Sequence, residues 1–326
     1  HGLAALPGAR LADFPEPSLP PLAAGKETPY RFPGGTIRPP ADLQKELVVA
    51  EGYAVNLFAS ETQFPELRNP VQLSFDARGR LWVVTMPSFP HTIPGERPAD
   101  KILILEDTDH DGRADTCTVF ADGFDALDGV AFHERGVIVS AQPRLLVLND
   151  TDGDGRADTR AELLRGVDMT DSHHGGMVAT DPMGFVIFAD GVFHRSQFET
   201  PFGVVRGIDS TTYRLDPRSG RLTAEWRSMT PNPWKVTWDR HGNLLERFGG
   251  GHLLDGLALT WTPAGVHHPY GNGTVLNYAK GSALSVISSP NFPDELQQGY
   301  ATAALLGSYT VSLSRPSADE GPLVAA

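Results

Sequence analysis

The chain has 326 residues, of which 40% are hydrophobic and 21% charged, and its formal net charge is −13. This composition describes a globular protein with a substantial core, and the acidic charge argues against duplex nucleic acid or an anionic membrane as the main partner. No apolar run reaches the roughly 18 residues that a membrane span requires. Cys117 is the only cysteine, which excludes a disulfide framework and a covalently attached c-type haem.

The N-terminal stretch, residues 1–50, is rich in proline and weakly periodic. We interpret it as an extended arm that lies over the following domain, with a short helix near residues 42–50. The chain begins with His1 rather than methionine, which indicates a removed signal peptide or a cut or tagged chain. A native His1 would chelate copper through its amine and imidazole, but the sequence repeats bring no second histidine to it.

Residues 51–326 are predicted to form one all-β domain, a β-propeller of four-stranded antiparallel blades. A polar turn that ends in glycine and leads into an apolar run recurs in FDARGRLWVVT (75–85), FHERGVIVSAQ (132–142), TDPMGFVIFAD (180–190) and WDRHGNLLERF (238–248). Each phrase is typical of a hairpin, and a period of roughly 50 residues is typical of propeller blades. We expect about five to six blades with strands A to D, the last one incomplete or degenerate. The long period disfavours the alternative fold, a β-sandwich.

Two acidic loops, DTDHDGRAD (107–115) and DTDGDGRAD (150–158), are nearly identical. Carboxylates at relative positions 1, 3, 5 and 9, with glycine at 6, allow a loop to close around Ca²⁺. Neither loop carries the bidentate glutamate of an EF-hand, so we predict structural calcium in turns between strands C and D; a plain acidic turn is the alternative. The predicted ligands are Asp107, Asp109, Asp111, Asp115 and the Arg113 carbonyl in the first loop, and Asp150, Asp152, Asp154, Asp158 and the Arg156 carbonyl in the second.

The connections from strand D to the next strand A lie at the other end of the blades and are predicted to line the axial mouth. A histidine, an amide, a carboxylate and cations that converge there suit general-base chemistry on a polar substrate. The alternative is that these side chains only satisfy loop backbone. The residues concerned are Arg68, Asn69, Asp128, His173, His174, Asn232 and Lys235.

Several stretches resemble the N-terminal propeller of the membrane-bound dehydrogenases of planctomycetes and their relatives. That group is distantly similar to the soluble glucose/sorbosone dehydrogenases, six-bladed propellers that bind pyrroloquinoline quinone (PQQ) and calcium. The resemblance lies in EGYAVNLFASE (51–61), LRNPVQLSFDARGRLWVVTMPSFP (67–90), KILILEDTDHDGRAD (101–115), DSHHGG (171–176), GVFHRSQFETPFG (191–203) and SSPNFPDELQ (288–297).

The resemblance implies catalytic residues. The family's base motif, a histidine before two small residues, falls on His174, with His173 beside it. The carboxylate that orients the base falls on Asp190, with Asp128 in reserve. His174 would take the proton from a hydroxyl while hydride passes to PQQ.

The resemblance also implies cofactor contacts. The quinone-contact motif falls on residues 231–233, which makes Asn232 a contact but replaces the motif's cation by Pro231. PQQ carries three carboxylates, which need arginine or lysine. Lys235, Arg195, Arg206 and Arg247 are available for this, and no motif selects among them. The mouth residues Lys235, Trp234, Arg68 and Asn69 are the other expected contacts.

The functional prediction is a periplasmic or extracellular quinoprotein-like dehydrogenase that oxidises a small sugar or alcohol and works with a redox partner or in a larger assembly. The alternative is a non-catalytic, calcium-stabilised propeller that binds a glycan or a partner protein subunit. The loss of the cation at Pro231 and the incomplete last blade favour that alternative.

Overall fold

A computed structural model describes residues 39–90, 92–173, 175, 177–227, 232–238, 244–248, 252–255, 276–277, 281–304 and 311–314. The predicted arm up to residue 38, with His1, lies outside the described residues, as do His174 and Pro231. A seven-residue helix, α1 (Pro40–Glu46), overlaps the helix predicted near residues 42–50 and begins on a proline, which suits the first helical turn. Among the described helices, none has the length and hydrophobicity of a membrane span.

The first two sheets are four-stranded antiparallel meanders whose spatial order is their chain order. Their four strands correspond to the predicted strands A to D. These strands form because short apolar runs alternate with Gly- and Asp-rich turns in the sequence. Sheet 1 consists of β1 (Pro70–Phe75), β2 (Leu81–Thr85), β3 (Asp100–Glu106) and β4 (Thr116–Phe124); sheet 2 consists of β5 (Leu127–His133), β6 (Gly136–Ala141), β7 (Arg144–Asn149) and β8 (Thr159–Arg165).

Sheet 3 keeps this order but carries a two-stranded hairpin between its second and third strands. Its strands are β9 (Val178–Thr180), β10 (Val186–Ala189), β13 (Thr211–Asp216) and β14 (Arg221–Arg227), and the hairpin is β11 (Gln197–Thr200) with β12 (Gly203–Arg206). Sheet 4 consists of β15 (Pro233–Trp238), β16 (Leu244–Phe248), β17 (His252–Asp255) and β18 (Leu276–Asn277); sheet 5 has β19 (Gly281–Val286), β20 (Tyr300–Ala304) and β21 (Val311–Ser314), with a 3₁₀ helix at Asp294–Leu296.

The inner strands of successive sheets contact one another in the order β1, β5, β9, β15 and β19. Face-to-face packing of successive meanders around inner strands is the architecture of a β-propeller, which confirms the predicted fold class. Apolar side chains fill the spaces between sheets: Trp82 of sheet 1 packs against Phe120 and, at 5.2 Å between ring centroids, against Phe132 of sheet 2. The number of blades stays a prediction.

The face of β1 that points away from sheet 2 is apolar and open. Val71, Leu73 and Phe75 alternate along the strand and are 49%, 60% and 68% exposed. The opposite face is occupied by Gln72, whose side-chain amide donates to the Val130 carbonyl and whose oxygen accepts from the Val130 amide. Sheet 1 is thus joined to sheet 2 on one face only within the described part of the chain.

The segment before β1 lies where the outer strand of a preceding sheet would lie. In sheet 2, the amide of Ala157 donates to the carbonyl of Phe120 on the outer strand of sheet 1. In sheet 1, the corresponding amide of Ala114 donates to the carbonyl of Phe58. Equivalent hydrogen bonds therefore join sheet 2 to β4 of sheet 1 and join sheet 1 to the segment near residue 58.

Candidate functional site

Four of the five inner strands begin alike, at the end of the propeller where the connections from strand D arrive. Each of β1, β5, β15 and β19 has a β-bulge at its second residue. A bulge bends the strand and re-aims a side chain, and bulges are common beside active sites. The extra residues are Val71, Asp128, Trp234 and Ser282.

Asn69 and Asn232, both predicted cofactor contacts, directly precede two of these bulged strands. Their φ angles are 51° and 67°, in the left-handed region that asparagine tolerates better than most residues. Each is followed by a proline that begins the strand, and the Asn69 carbonyl accepts the Met86 amide at 3.0 Å. The left-handed backbone conformation is therefore by itself a sufficient reason for asparagine at positions 69 and 232.

Donor groups are gathered at the start of β15. The Trp234 indole N–H is buried and has no acceptor among the described residues. The Lys235 side chain is half-buried, and loss of water around its ammonium group lowers its pKa. Arg247, fully buried, is its partner in the register of β15 with β16. An acceptor-rich or anionic ligand would suit this end of sheet 4.

Asp190 follows β10 and is completely buried. Its Oδ1 accepts the Ser196 hydroxyl at 2.6 Å, and its Oδ2 accepts the Tyr213 hydroxyl at 2.5 Å. Burial raises the pKa of Asp190 to about 6, against the two hydroxyl donors, which favour the carboxylate. Burial also raises the pKa of Tyr213, which keeps its hydroxyl a donor.

Three glycines allow the chain to pass close to Asp190. A β-carbon on Gly175 would lie 1.7 Å from the Ala189 carbonyl oxygen, and one on Gly191 would lie 1.2 Å from the His173 carbonyl oxygen. A β-carbon on Gly207 would lie 1.6 Å from the Tyr213 hydroxyl oxygen. His173 and Gly175, the two chain neighbours of His174, therefore lie directly against the backbone on either side of Asp190.

His173 is oriented by its own loop. Its backbone amide donates to Asp171 Oδ1 at 2.9 Å, and its Nδ1–H donates to the same oxygen. The His173 side chain holds the pKa of Asp171 below its usual range. The His173 ring also contacts the Phe193 ring in a T-shaped arrangement, with 5.5 Å between centroids. His173 is thus a positioned, partly exposed imidazole beside the predicted base.

Asp128 and Arg68 differ in their surroundings. Asp128 is buried and accepts the Gln142 side-chain amide at 2.8 Å, so it is tied into sheet 2. Arg68 is half-buried before β1. Asp128 lies in β5 and Gln142 directly follows β6, so their hydrogen bond helps to hold these two strands together.

The two acidic loops have nearly the same conformation and join strand C to strand D, as predicted. Three of the four predicted carboxylates in each loop lie within 4.8 Å of one another, and the fourth accepts a loop amide, Asp111 from Arg113 and Asp154 from Arg156. Each group of three suits a hard cation. The groups are Asp107, Asp109 and Asp115 in one loop and Asp150, Asp152 and Asp158 in the other.

A family model, described as a domain of unknown function (DUF7133), matches residues 39–249. The chain belongs to the DUF7133 family. The match covers the first three sheets, both acidic loops and the surroundings of Asp190. No curated protein sequence matches this DUF7133 chain.

Solved structures similar to the DUF7133 chain include three that are described as enzymes or enzyme domains. An oxidoreductase from Thermus thermophilus, described as a glucose dehydrogenase, is 15% identical, with 77% of this chain and 80% of that one covered and a TM-score of 0.46. The PQQ domain of a pyranose dehydrogenase from Coprinopsis cinerea is 15% identical, with coverage of 74% and 62% and a TM-score of 0.39. A gluconolactonase from Xanthomonas campestris is 16% identical, with coverage of 55% and 54% and a TM-score of 0.35.

Several residues around Asp190 carry no role predicted from the sequence. Tyr213 lies outside every motif, and Ser196 lies in the stretch 191–203 without a predicted role. Both reach Asp190 only through the pairing of β10 with β13 and the fold of residues 191–210. Gly191 could have been singled out, since it follows the predicted carboxylate directly. Phe193 lies in the stretch that carries the family resemblance but was not assigned a role.

Proposed function

We propose that the chain is a quinoprotein-like dehydrogenase that oxidises a sugar or an alcohol at the mouth of the propeller. The observation that carries the proposal is the donor group at the start of β15, where the Trp234 indole N–H has no acceptor among the described residues and the Lys235 ammonium is poorly solvated. Such groups are costly in a folded chain unless a ligand satisfies them. A ligand rich in carboxylates and carbonyls would do so.

The residues present fit PQQ in part. Its three carboxylates and two quinone oxygens require cations and N–H donors, and Lys235, Trp234 and the half-buried Asn232 supply both kinds of group. The cation of the family motif is replaced by Pro231, so Lys235 would take over its charge. Lys235 would hold a carboxylate, and Trp234 and Asn232 would donate to oxygens of the ring system. When bound, PQQ supplies the two-electron acceptor that takes hydride from the substrate carbon.

The chain's own part in the reaction is proton transfer and positioning. His174 would accept the hydroxyl proton, as a general base near neutral pH does. The close approach of His173 and Gly175 to the backbone on either side of Asp190 supports this assignment, because both residues are chain neighbours of His174. Asp190, held by Ser196 and Tyr213, would stabilise the protonated imidazole.

Calcium is proposed to stabilise the two acidic loops. Without a cation, three carboxylates within 4.8 Å would repel one another. The loops lie on the C-to-D turns, away from the proposed catalytic end, so their role would be structural. Sites of this kind suit compartments with millimolar Ca²⁺, which supports a periplasmic or extracellular location.

The deciding experiment is a titration of the calcium-loaded chain with PQQ, followed by tryptophan fluorescence and absorbance. The proposal expects saturable binding of one PQQ per chain that weakens in Lys235→Met and Trp234→Phe. His174→Ala should bind PQQ and lose turnover with sugars or alcohols. Absence of binding by a cooperatively folded, calcium-loaded sample would refute the proposal.

The second candidate is a non-catalytic propeller that grips a glycan or a partner subunit. Pro231 in place of the motif's cation is the observation that favours it. Under this alternative the folded chain does not bind PQQ, and it shows no dehydrogenase activity with or without the His174→Ala substitution.

A further inference from the structure

We propose that Phe193 is a stacking platform for a pyranose ring beside His173. The inference takes its substrate class from the proposed function, and it assigns a binding role to a residue outside the expected catalytic and cofactor sets. The Phe193 side chain is exposed, and its backbone has a conformation that phenylalanine rarely adopts.

The backbone of Phe193 is strained. Its φ angle is 69°, in the left-handed region where a bulky aromatic residue is an outlier. Asp209 and Ser210, at 44° and 46°, share this unfavourable region. Strain of this kind persists only where surrounding contacts impose it, and it is concentrated at ligand-binding sites.

Hydrogen bonds between two loops impose this conformation. The Phe193 amide donates to Asp209 Oδ1 at 3.0 Å, the Asp209 amide donates to the His194 carbonyl, and the Ser210 amide donates to the Gly191 carbonyl. The loop after β10 is therefore fastened to the loop before β13 along its length. Phe193 cannot relax its backbone without breaking these bonds.

The Phe193 ring remains mostly exposed to solvent despite the strain in its backbone. Phe193 is 60% exposed, and its ring contact is the edge-on approach to His173, 5.5 Å between centroids. A phenylalanine kept for packing would be buried, since burial of apolar surface is its main contribution to stability. Backbone strain combined with exposure points to a ligand that covers the ring.

The surroundings of the ring match a saccharide. The apolar C–H face of a pyranose stacks on an aromatic ring, and its equatorial hydroxyls require polar groups at the ring's edge. The His173 ring lies beside Phe193 and nearly perpendicular to it, and Asp209 lies behind the Phe193 backbone with the largely exposed Arg195 guanidinium 3.9 Å away. Imidazole, carboxylate and guanidinium offer both donors and acceptors to hydroxyl groups.

Position in the fold places the platform next to the proposed chemistry. Phe193 belongs to the connection between the second and third strands of sheet 3, and His173 belongs to the connection that enters sheet 3. Both connections emerge at the same end of a four-stranded antiparallel meander. A sugar stacked on Phe193 would therefore lie beside His173, the chain neighbour of His174.

The test is saturation-transfer-difference NMR of the full chain with methyl β-D-glucopyranoside, methyl β-D-galactopyranoside and methyl α-D-mannopyranoside at millimolar concentration, without PQQ. At least one pyranoside should bind the wild type with its C–H protons saturated most strongly. Phe193→Ala and Phe193→Asn should weaken binding about fivefold or more, while Phe193→Tyr should retain it. Phe202→Ala, which removes another exposed phenylalanine on the β11–β12 hairpin, is the matched control and should leave binding unchanged.

The outcomes separate this inference from the proposed function. Asparagine suits the left-handed backbone, so Phe193→Asn should fold with a melting temperature at least equal to that of the wild type. If Phe193→Asn lowers the melting temperature instead, the ring is structural and the inference is wrong. Pyranoside binding that is unaffected by Phe193→Ala, or no binding by the folded wild type, also overturns it. If PQQ binding fails while pyranoside binding is observed, the proposed dehydrogenase function is refuted and the inference about Phe193 is unaffected.

Discussion

The Tyr213 hydroxyl donates a 2.5 Å hydrogen bond to Asp190 Oδ2 although 23 residues separate them in the chain. Two further contacts define this pair. The Phe188 ring stacks on Tyr213 at 5.0 Å between centroids, and Gly207 leaves room for the hydroxyl. The pair fixes a buried carboxylate beside His173 and Gly175.

Removal of the Tyr213 hydroxyl should destabilise the fold. Tyr213→Phe keeps the ring packing and takes one donor from a buried carboxylate, so we expect a loss of about 1–3 kcal/mol in the free energy of unfolding. Urea denaturation at neutral pH measures this loss. Tyr53→Phe is the control, because Tyr53 is partly exposed and keeps its contact with Phe292 in the variant. Equal effects of the two substitutions would contradict the assigned role of the hydroxyl.

Asp190 should make stability depend on pH. Its pKa is about 6 in the folded chain and 3.8 without the fold, so between these values the folded state binds more protons than the unfolded state. Stability from this group is present at low pH and is lost as the pH rises to about 6, by at most about 3 kcal/mol. Asp190→Asn should remove that slope. Urea denaturation of both chains from about pH 4 to about pH 7 measures it, and parallel curves would show that Asp190 does not titrate in this range.

Gly191 should not tolerate a side chain. The added β-carbon in Gly191→Ala would overlap the His173 carbonyl, so we expect a loss of about 3 kcal/mol and faster amide exchange in residues 171–177. Gly79→Ala is the control, since Gly79 has a φ of 80° but open space around it. The control should cost about 1–2 kcal/mol from backbone conformation alone. Similar losses and unchanged exchange would argue against close packing of this loop.

Lys235→Met should stabilise the unliganded chain and impair PQQ binding. Burial lowers the pKa of Lys235, so the folded state binds fewer protons than the unfolded state as the pH approaches the lysine's usual value. Stability from this group therefore increases as the pH rises through that window, and the variant should lose this increase. Thermal unfolding across alkaline pH measures it, with the exposed Lys45→Met as control. A less stable variant would indicate that Lys235 has a structural role.

Calcium should raise the melting temperature. A ligand present at 100 times its dissociation constant adds about 2.7 kcal/mol per site to the stability of the folded state. The shift should disappear in Asp107→Asn/Asp150→Asn and persist in Asp122→Asn, which changes an exposed acid outside the loops. Differential scanning calorimetry after chelation and after addition of Ca²⁺ or Mg²⁺ measures the effect. Identical melting temperatures with and without calcium would mean that the loops are plain acidic turns.

The sequence by itself determined the sheets and the acidic loops, because both depend on neighbours in the chain. Apolar runs bounded by glycine turns predicted four-stranded antiparallel sheets, and the spacing of carboxylates predicted the groups around Asp107 and Asp150. Tertiary structure decided what surrounds Asp190. Tyr213 and Ser196 reach it through strand pairing and loop packing that no local pattern encodes.

The same division applies to the mouth. Asn-Pro at residues 69–70 and 232–233 is visible in the sequence, but the bulges that follow appear only when each inner strand pairs with its neighbour. The strain at Phe193 also has no sequence signature, since it is imposed by hydrogen bonds to a loop 16 residues further along the chain. Local propensity sets the strands, and long-range contacts set the conformations that a binding site requires.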